Sequence, residues 1–248
     1  MKILDAYWEL RNSGLTTCEI LFEKGDSFDD YPGAEIEKRF RYSVAKIPSE
    51  NLTLLHKLEA IGYNYIETQF NICVAASEIG RIDKKWNKII DETDYRKVTN
   101  ADQLEIILSN INTGLFHYDR ISLDEKLGRE KSAVRYCNWI QDLYSDSATE
   151  IFCLLKHGNT AGFFIIRDGL NNSIHSIIAG VFNKYQGQGL SVAVIYFYLK
   201  LAKERNAKNV FTSFSSNNIA MLNSFTKTVS FKTLKIYYVL RRFADLKQ

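Results

Sequence analysis

Proline occurs twice and cysteine four times in these 248 residues. Cys18, Cys73, Cys137 and Cys153 lie far apart without a C-x-x-C pair, so neither a disulfide framework nor a zinc site is indicated, and free thiols are expected. The scarcity of proline, beside abundant Ile, Asn and Lys, is a compositional bias without a functional message. No apolar run reaches the roughly 20 residues that a membrane-spanning helix needs. Asp5 and Glu9 fall where a signal peptide would need an unbroken apolar stretch, so the expected location is the cytoplasm. An excess of one charge sign is also missing. The 32 Lys and Arg against 29 Asp and Glu leave a net charge of +3, interspersed along the chain. That balance gives no case for a nucleic-acid or membrane partner and leaves a phosphorylated small molecule compatible. What is present belongs to a folded domain. Hydrophobic residues at 46%, charged residues at 25% and a mean hydropathy of -0.21 supply a sizeable core and exclude disorder.

Charge interrupts the apolar patterning between Trp86 and Val98, as a surface connection would, which places a boundary near residue 92. Upstream, Thr17 to Phe22 and Arg41 to Lys46 alternate like strands. Ser49 to Ile61 has helical spacing closed by Gly62, and Tyr63 to Cys73 returns to a strand. Downstream, Thr99 is placed to cap a helix carrying Leu104, Ile107, Leu108 and Ile111, and a second helix runs from Ser132 to Tyr144. The period then changes to that of strands. Ile151 to Lys156 and Ala161 to Arg167 read as a hairpin, followed by a strand over Ile174 to Phe182. A long helix from Ser191 to Arg205, a strand over Asn209 to Phe214, a short helix from Asn218 and a last strand over Leu234 to Arg241 complete the unit.

The segment Val181-Phe182-Asn183-Lys184-Tyr185-Gln186-Gly187-Gln188-Gly189-Leu190 carries the chemistry. A strand there runs into a glycine turn that opens a helix. Unpaired N–H groups and the positive end of the helix dipole can cradle a pyrophosphate once glycines permit close approach. Val192 stands three residues after Gly189, so the Rossmann G-x-G-x-x-G is absent and a dinucleotide is disfavoured.

This strand, turn and long amphipathic helix resemble motif A of the GNAT acetyltransferases, written Q/R-x-x-G-x-G/A, with Lys184 where the pattern has Gln or Arg. The order of the remaining elements agrees, including Gly162-Phe163 in a hairpin strand and Ser216-Asn217-Asn218 after a strand. The resemblance implies an α/β (α+β) GNAT fold with a mixed, splayed central sheet in residues 93–248. A smaller, degenerate GNAT-like α/β domain would occupy residues 1–92. It also implies acetyl-CoA as acyl donor, with no metal. Val181 and Phe182 would then contact the pantetheine arm, and Gln186, Gly187, Gln188, Gly189, Leu190 and Ser191 would hold the pyrophosphate. Asn218 matches an asparagine that touches the cofactor and is equally a helix cap.

Within the superfamily, the chain is similar to dTDP-fucosamine acetyltransferases. The segments that carry this are Arg41 to Lys46 with Leu58 to Tyr63, Phe116 to Arg120 with Tyr136 to Ile140, and Asn218 with Tyr237 to Arg241. The resemblance implies acetylation of a nucleotide-linked amino-deoxy sugar by direct attack in a ternary complex. Another small amine, a protein amine, or a silent acyl-CoA-binding module stay open as alternatives, and a homodimer is compatible. His117, Tyr118 and Arg120, in a polar and aromatic loop, are candidate substrate contacts. His175 lies where family members carry a glutamate base and titrates near neutrality, although a structural strand histidine fits equally. The family's usual tyrosine acid is replaced by Phe225 or Ser224. Ser224, Tyr237 and Tyr238 are therefore the candidate acids.

Overall fold

The computed structural model describes residues 1–244. In chain order its elements are β1 (Lys2–Asp5), α1 (Glu9–Ser13), β2 (Thr17–Leu21), α2 (Gly33–Arg39), β3 (Tyr42–Pro48), α3 (Leu52–Ala60) and β4 (Asn64–Ala75). They continue as α4 (Asn87–Asp91), β5 (Thr93–Lys97), α5 (Ala101–Asn112), α6 (Gly128–Ser145), β6 (Thr149–Lys156), β7 (Asn159–Gly169) and β8 (Ser173–Val181). The last four are α7 (Leu190–Glu204), β9 (Asn209–Ser215), α8 (Ile219–Thr228) and β10 (Lys232–Phe243).

All ten strands form one mixed sheet in the order β1-β2-β3-β10-β4-β9-β8-β7-β6-β5. Its middle is an exchange. The chain's last strand, β10, lies antiparallel between β3 and β4, while β4 crosses to pair with β9 from Gln69↔Ser215 to Ala75↔Asn209. Each half of the sequence thus supplies a strand to the other half's side of the sheet.

Two parallel pairs interrupt the antiparallel pattern. β2 and β3 stay paired along the whole of β2, from Thr17↔Tyr42 to Leu21↔Lys46. β8 and β9 pair only at Ser173↔Asn209, Ile174↔Val210 and His175↔Phe211, then diverge. On its other side β8 carries a bulge: Ser176 faces Ile166 and Ile178 faces Ile165, leaving Ile177 as the extra residue. A bulge bends its strand and reverses the side-chain alternation beyond it. Ile174 accordingly packs in the core under α7, whereas Ile178 packs in the core under α5 and α6.

Those two cores clamp the splayed strands from opposite faces. α7 is apolar almost all round, with ten of its residues buried, because it lies between the sheet and the segment that includes Ile79, Ile82 and Ile89. On the other face α5 and α6 bury Ile107, Ile111 and Ile140 completely. Each of these side chains contributes about 1.5–3 kcal/mol of burial free energy. A third core, with Ile20, Ile47, Leu54 and Leu58, fills the N-terminal side.

Two local expectations are corrected. Asn100, not Thr99, caps α5 by accepting from the Gln103 N–H at 3.0 Å, while the Thr99 N–H donates to the Gln103 side chain at 2.8 Å. The charged stretch around residue 92 contains α4 and the edge strand β5, which pairs with β6. An outermost strand keeps one polar, solvated edge, so charge there is compatible with pairing. Among the described residues, no helix is long and apolar enough to cross a membrane. Among the same residues, no group of three or more His, Cys, Asp or Glu is placed to hold a metal.

Candidate active site

Divergence of β8 from β9 opens a cleft of about 1390 Å³ through the middle of the molecule. One side is built from the sequence motif. Ile178, Ala179, Gly180 and Val181 line it along the β8 edge, which has no strand partner past His175. Below them the chain turns through Gly187 and Gly189, both at φ +76, a left-handed conformation that side chains rarely adopt. Gly189 is the N-cap of α7 and offers no side chain to the helix amides. A Cβ at Gly187 would meet nothing within 4 Å, so the turn faces open space. An uncapped helix N-terminus beside a free strand edge suits the pyrophosphate and amide-bearing arm of an acyl-CoA. Gly162 fixes the spacing of this edge, since a Cβ there would collide with the Gly180 carbonyl oxygen.

Gly187, Gly189, Leu190, Ser191, Gln186 and Asn218 all line the cleft. Asn218 also caps α8, accepting from the Met221 N–H at 3.0 Å. Phe182 does not reach the cleft: its side chain is buried in the α5–α6 core and its N–H donates to the Ala161 carbonyl at 2.9 Å. Gln188 points away as well, and accepts from the Lys156 ammonium at 2.7 Å.

The four candidate catalytic residues separate. Ser224 lines the cleft, its hydroxyl 2.7 Å from that of Ser191, so α8 and the start of α7 meet at this pair. His175 lies before the splay, outside the cleft lining. Its exposed ring stacks on Phe211 with centroids 5.3 Å apart and packs over Gly169. Tyr237 is buried between Pro48 and Gln69 in register, and Tyr238 packs edge-on to Tyr65; neither lines the cleft.

The opposite side of the cleft comes from the N-terminal half and from the loop before α6. His117, Tyr118 and Arg120 all line it. The Phe116 and Tyr136 rings pack tilted with centroids 4.2 Å apart, and Trp139 continues the aromatic wall. Arg120 is nearly buried and ion-paired to Glu19, which also holds Lys46 at 3.3 Å. The Arg120 guanidinium keeps the Glu19 carboxyl well below the usual carboxylate range. Burial, and then Arg120, lowers the Lys46 ammonium from its ordinary value. Arg135 pairs with Glu9 at 2.6 Å, and Arg11 pairs with Asp142.

Sequence reasoning missed Glu19, Lys46 and Glu67 on this wall. Lys46, Val239 and Glu67 stand in one cross-strand row over β3, β10 and β4, so β10 is what brings the two charged residues to the same face. Glu67 is only 7% exposed and lines the cleft; among the described residues it makes no hydrogen bond and no ion pair within 4 Å, while Arg120 and Lys46 feel its charge. The signal lay in Glu67-Glu/Gln-type alternation along β4, where Glu67, Gln69 and Asn71 form a polar row opposite Thr68, Phe70 and Ile72.

No protein-family model matches the chain, and no curated protein matches it. Solved structures do. The chain is similar to a functionally unknown conserved protein from Staphylococcus epidermidis ATCC 12228, with a TM-score of 0.62 and 15% identity over 92% of this chain and 84% of that one. It is similar to a GCN5-related N-acetyltransferase from Sphaerobacter thermophilus, with a TM-score of 0.56 and 10% identity over 82% of this chain and 60% of that one. It is also similar to a tandem GNAT protein from the clavulanic acid biosynthesis pathway, with a TM-score of 0.54 and 11% identity over 94% and 76% of the two chains. The fold is therefore the GNAT fold, with its mixed sheet and splayed strands. At these identities the likeness says nothing of an acceptor.

Proposed function

We propose that this protein transfers an acyl group, acetyl in the first instance, from coenzyme A to the amine of a small acceptor. The observation that carries this is the free β8 edge opening directly above the Gly187–Gly189 turn and the uncapped start of α7. Val181 and its neighbours on β8 would hold the pantetheine arm, and the amides from Gly187 to Ser191 the pyrophosphate. The donor supplies an activated thioester carbonyl. The donor side and the aromatic wall share one cleft, which supports direct attack by the amine in a ternary complex. Ser224, the one candidate acid on the cleft wall, is positioned to pass a proton toward the departing sulfur through water.

The acceptor is better read as an amine without a diphosphate than as a sugar nucleotide. A diphosphate needs unengaged cations, yet Arg11, Lys46, Arg120 and Arg135 each already hold a carboxylate. We also read residues 1–92 as a degenerate partner of residues 93–248. The parallel β2/β3 pair, joined through a helix as β8/β9 are, supports this.

A thermal-shift titration tests the function. Ligand that binds only the folded chain stabilises it by about 2.7 kcal/mol at a hundred times its Kd. For a chain of this size that is about 5–11 °C in Tm. Acetyl-CoA should produce such a shift, and dTDP and UDP should not. No shift with acetyl-CoA rejects the function; a shift with a nucleotide returns the acceptor to the sugar-nucleotide class.

A further inference from the structure

The geometry points to Glu67 as the group that binds the acceptor's ammonium and takes its first proton, which makes the acceptor a primary amine that arrives charged. This inference rests on the acyl-transfer function proposed above. Glu67 belongs to the N-terminal segment and reaches the cleft only because β4 inserts beside β9, past the end of the splay. The residue is only 7% exposed, its carboxylate accepts no hydrogen bond among the described residues, and it opens on the cleft. A carboxylate largely shut off from bulk solvent calls for donors on its lone pairs. Arg120 and Lys46 feel the Glu67 charge, but both make their ion pairs with Glu19, and Arg135 makes its own with Glu9. The remaining open direction is the cleft. An ammonium offers three donors on one charged atom and so satisfies the carboxylate where water would otherwise have to.

Lys46 from β3, Arg120 from the loop before α6 and Tyr136 from α6 feel the Glu67 charge, and Glu19 from β2, Asp119 and Arg135 line the same cleft. Asp119 is not a rival, because its carboxylate accepts from Ser132 at 2.7 Å and from the Ile121 N–H at 2.8 Å. Gln69, two residues along the same strand face, also lines the cleft and lies opposite Ser215 of β9. The row from Glu67 to Gln69 to Ser215 therefore leads from the acceptor wall toward the donor side.

The chemistry balances without any further reagent. The ammonium gives one proton to the Glu67 carboxylate. The neutral nitrogen then bonds to the thioester carbonyl carbon, the carbon–sulfur bond breaks, and sulfur leaves with the electron pair. The nitrogen's surplus proton passes to the departing sulfur through water and the Ser224 hydroxyl, giving the amide and the CoA thiol, and Glu67 returns its proton to solvent.

The test uses the full chain saturated with acetyl-CoA, with 1,4-diaminobutane, glucosamine and lysine as acceptors and CoA thiol release as the readout. One of these amines should be acetylated by the wild type. For that amine Glu67→Gln should lower kcat/KM about a hundredfold, in the range expected for loss of proton transfer. The acetyl-CoA Kd should stay within about twofold. In the wild type kcat/KM should be flat with pH below the amine's own pKa, because the charged amine is the form bound. In the Gln variant it should climb about tenfold per pH unit, because only the neutral amine in solution can react. Glu67→Asp should weaken the rate but keep the flat profile, which a purely structural role would not predict. It also serves as the comparison if the Gln variant fails to fold. The inference is overturned if the Gln variant keeps kcat/KM within threefold and the wild-type pH profile, or if a wild type that binds acetyl-CoA acetylates none of the three amines. A wild type that binds no acetyl-CoA overturns the acyl-transfer function first, and this inference with it.

Discussion

The same sheet contains two parallel strand pairs, and only one of them opens. β8 and β9 part after three residue pairs, whereas β2 and β3 stay together through five, and the Phe22 N–H extends the ladder by donating to Lys46 at 3.0 Å. The crossover helices differ in the same sense. α7 runs for 15 residues from a two-glycine turn, while α2 has 7 and starts after Pro32. A long helix entered through left-handed glycines and a bulge at Ile177 hold the C-terminal pair apart. The N-terminal pair has neither and zips shut. Closed, it is still useful, because its outer face presents Glu19 and Lys46 to the cleft that the open pair creates. On the function proposed above, the unsplayed pair offers no groove for the donor and supplies part of the wall on the acceptor side.

The comparison is broken most severely at the closed pair. Arg120→Ala leaves the partly buried Glu19 with Lys46 as its remaining ion-pair partner among the described residues. Breaking such a pair costs about 3 kcal/mol, which for this length is about 6–12 °C in Tm by calorimetry at pH 7. The sign with pH follows from the lowered Glu19 carboxyl. Its contribution is present at neutral pH and is lost as pH falls below its ordinary value of 4.5 toward the depressed folded one. The gap between wild type and variant should therefore shrink in acid; an equal gap at pH 7 and pH 3 would reject the ion pair as its source.

At the open pair the expected effect is on binding. Gly189→Val puts a β-branched residue at φ +76, with its Cβ 2.6 Å from Ile89 Cδ1. Strain of about 1–3 kcal/mol should weaken acetyl-CoA about tenfold to a hundredfold in a direct titration. Affinity unchanged within twofold would mean that the turn does not hold the donor. The smallest effect sharpens the comparison by its absence. His175→Ala, at the last residue pair before the splay, should leave kcat/KM within twofold, and a loss of a hundredfold would restore this histidine as the base.

Local signals made the glycine-turn side of the cleft legible. Gly187, Gly189 and the apolar stripe of α7 follow one another in sequence, so their physics is written in adjacent residues. The helices α3, α5, α6, α7 and α8 and the hairpin were readable from their periods, within a few residues at each end, whereas β1 and the short helices α1, α2 and α4 were not read. β5 was not, because an edge strand keeps its charges. The placement of His175 escaped because strand alternation alone cannot reveal the bulge at Ile177, which redirects every later side chain of β8. Glu67 escaped for a different reason. Its strand and polar neighbours are visible, but the insertion of β4 beside β9 joins residues 146 positions apart at Gln69↔Ser215, and no local pattern encodes such a partner.

That insertion also constrains how the chain can be made. β3 and β4 meet only through β10, whose residues are translated after every other strand. While the first half is emerging, its core can gather, but a gap remains where residues 232–243 will go. Closing a loop of that span is slow compared with forming helices and hairpins. Throughout that interval β3 presents a naked edge that could pair with another chain. The exchange that carries Glu67 into the cleft thus makes the nascent N-terminal half depend on a strand that has not yet been synthesised.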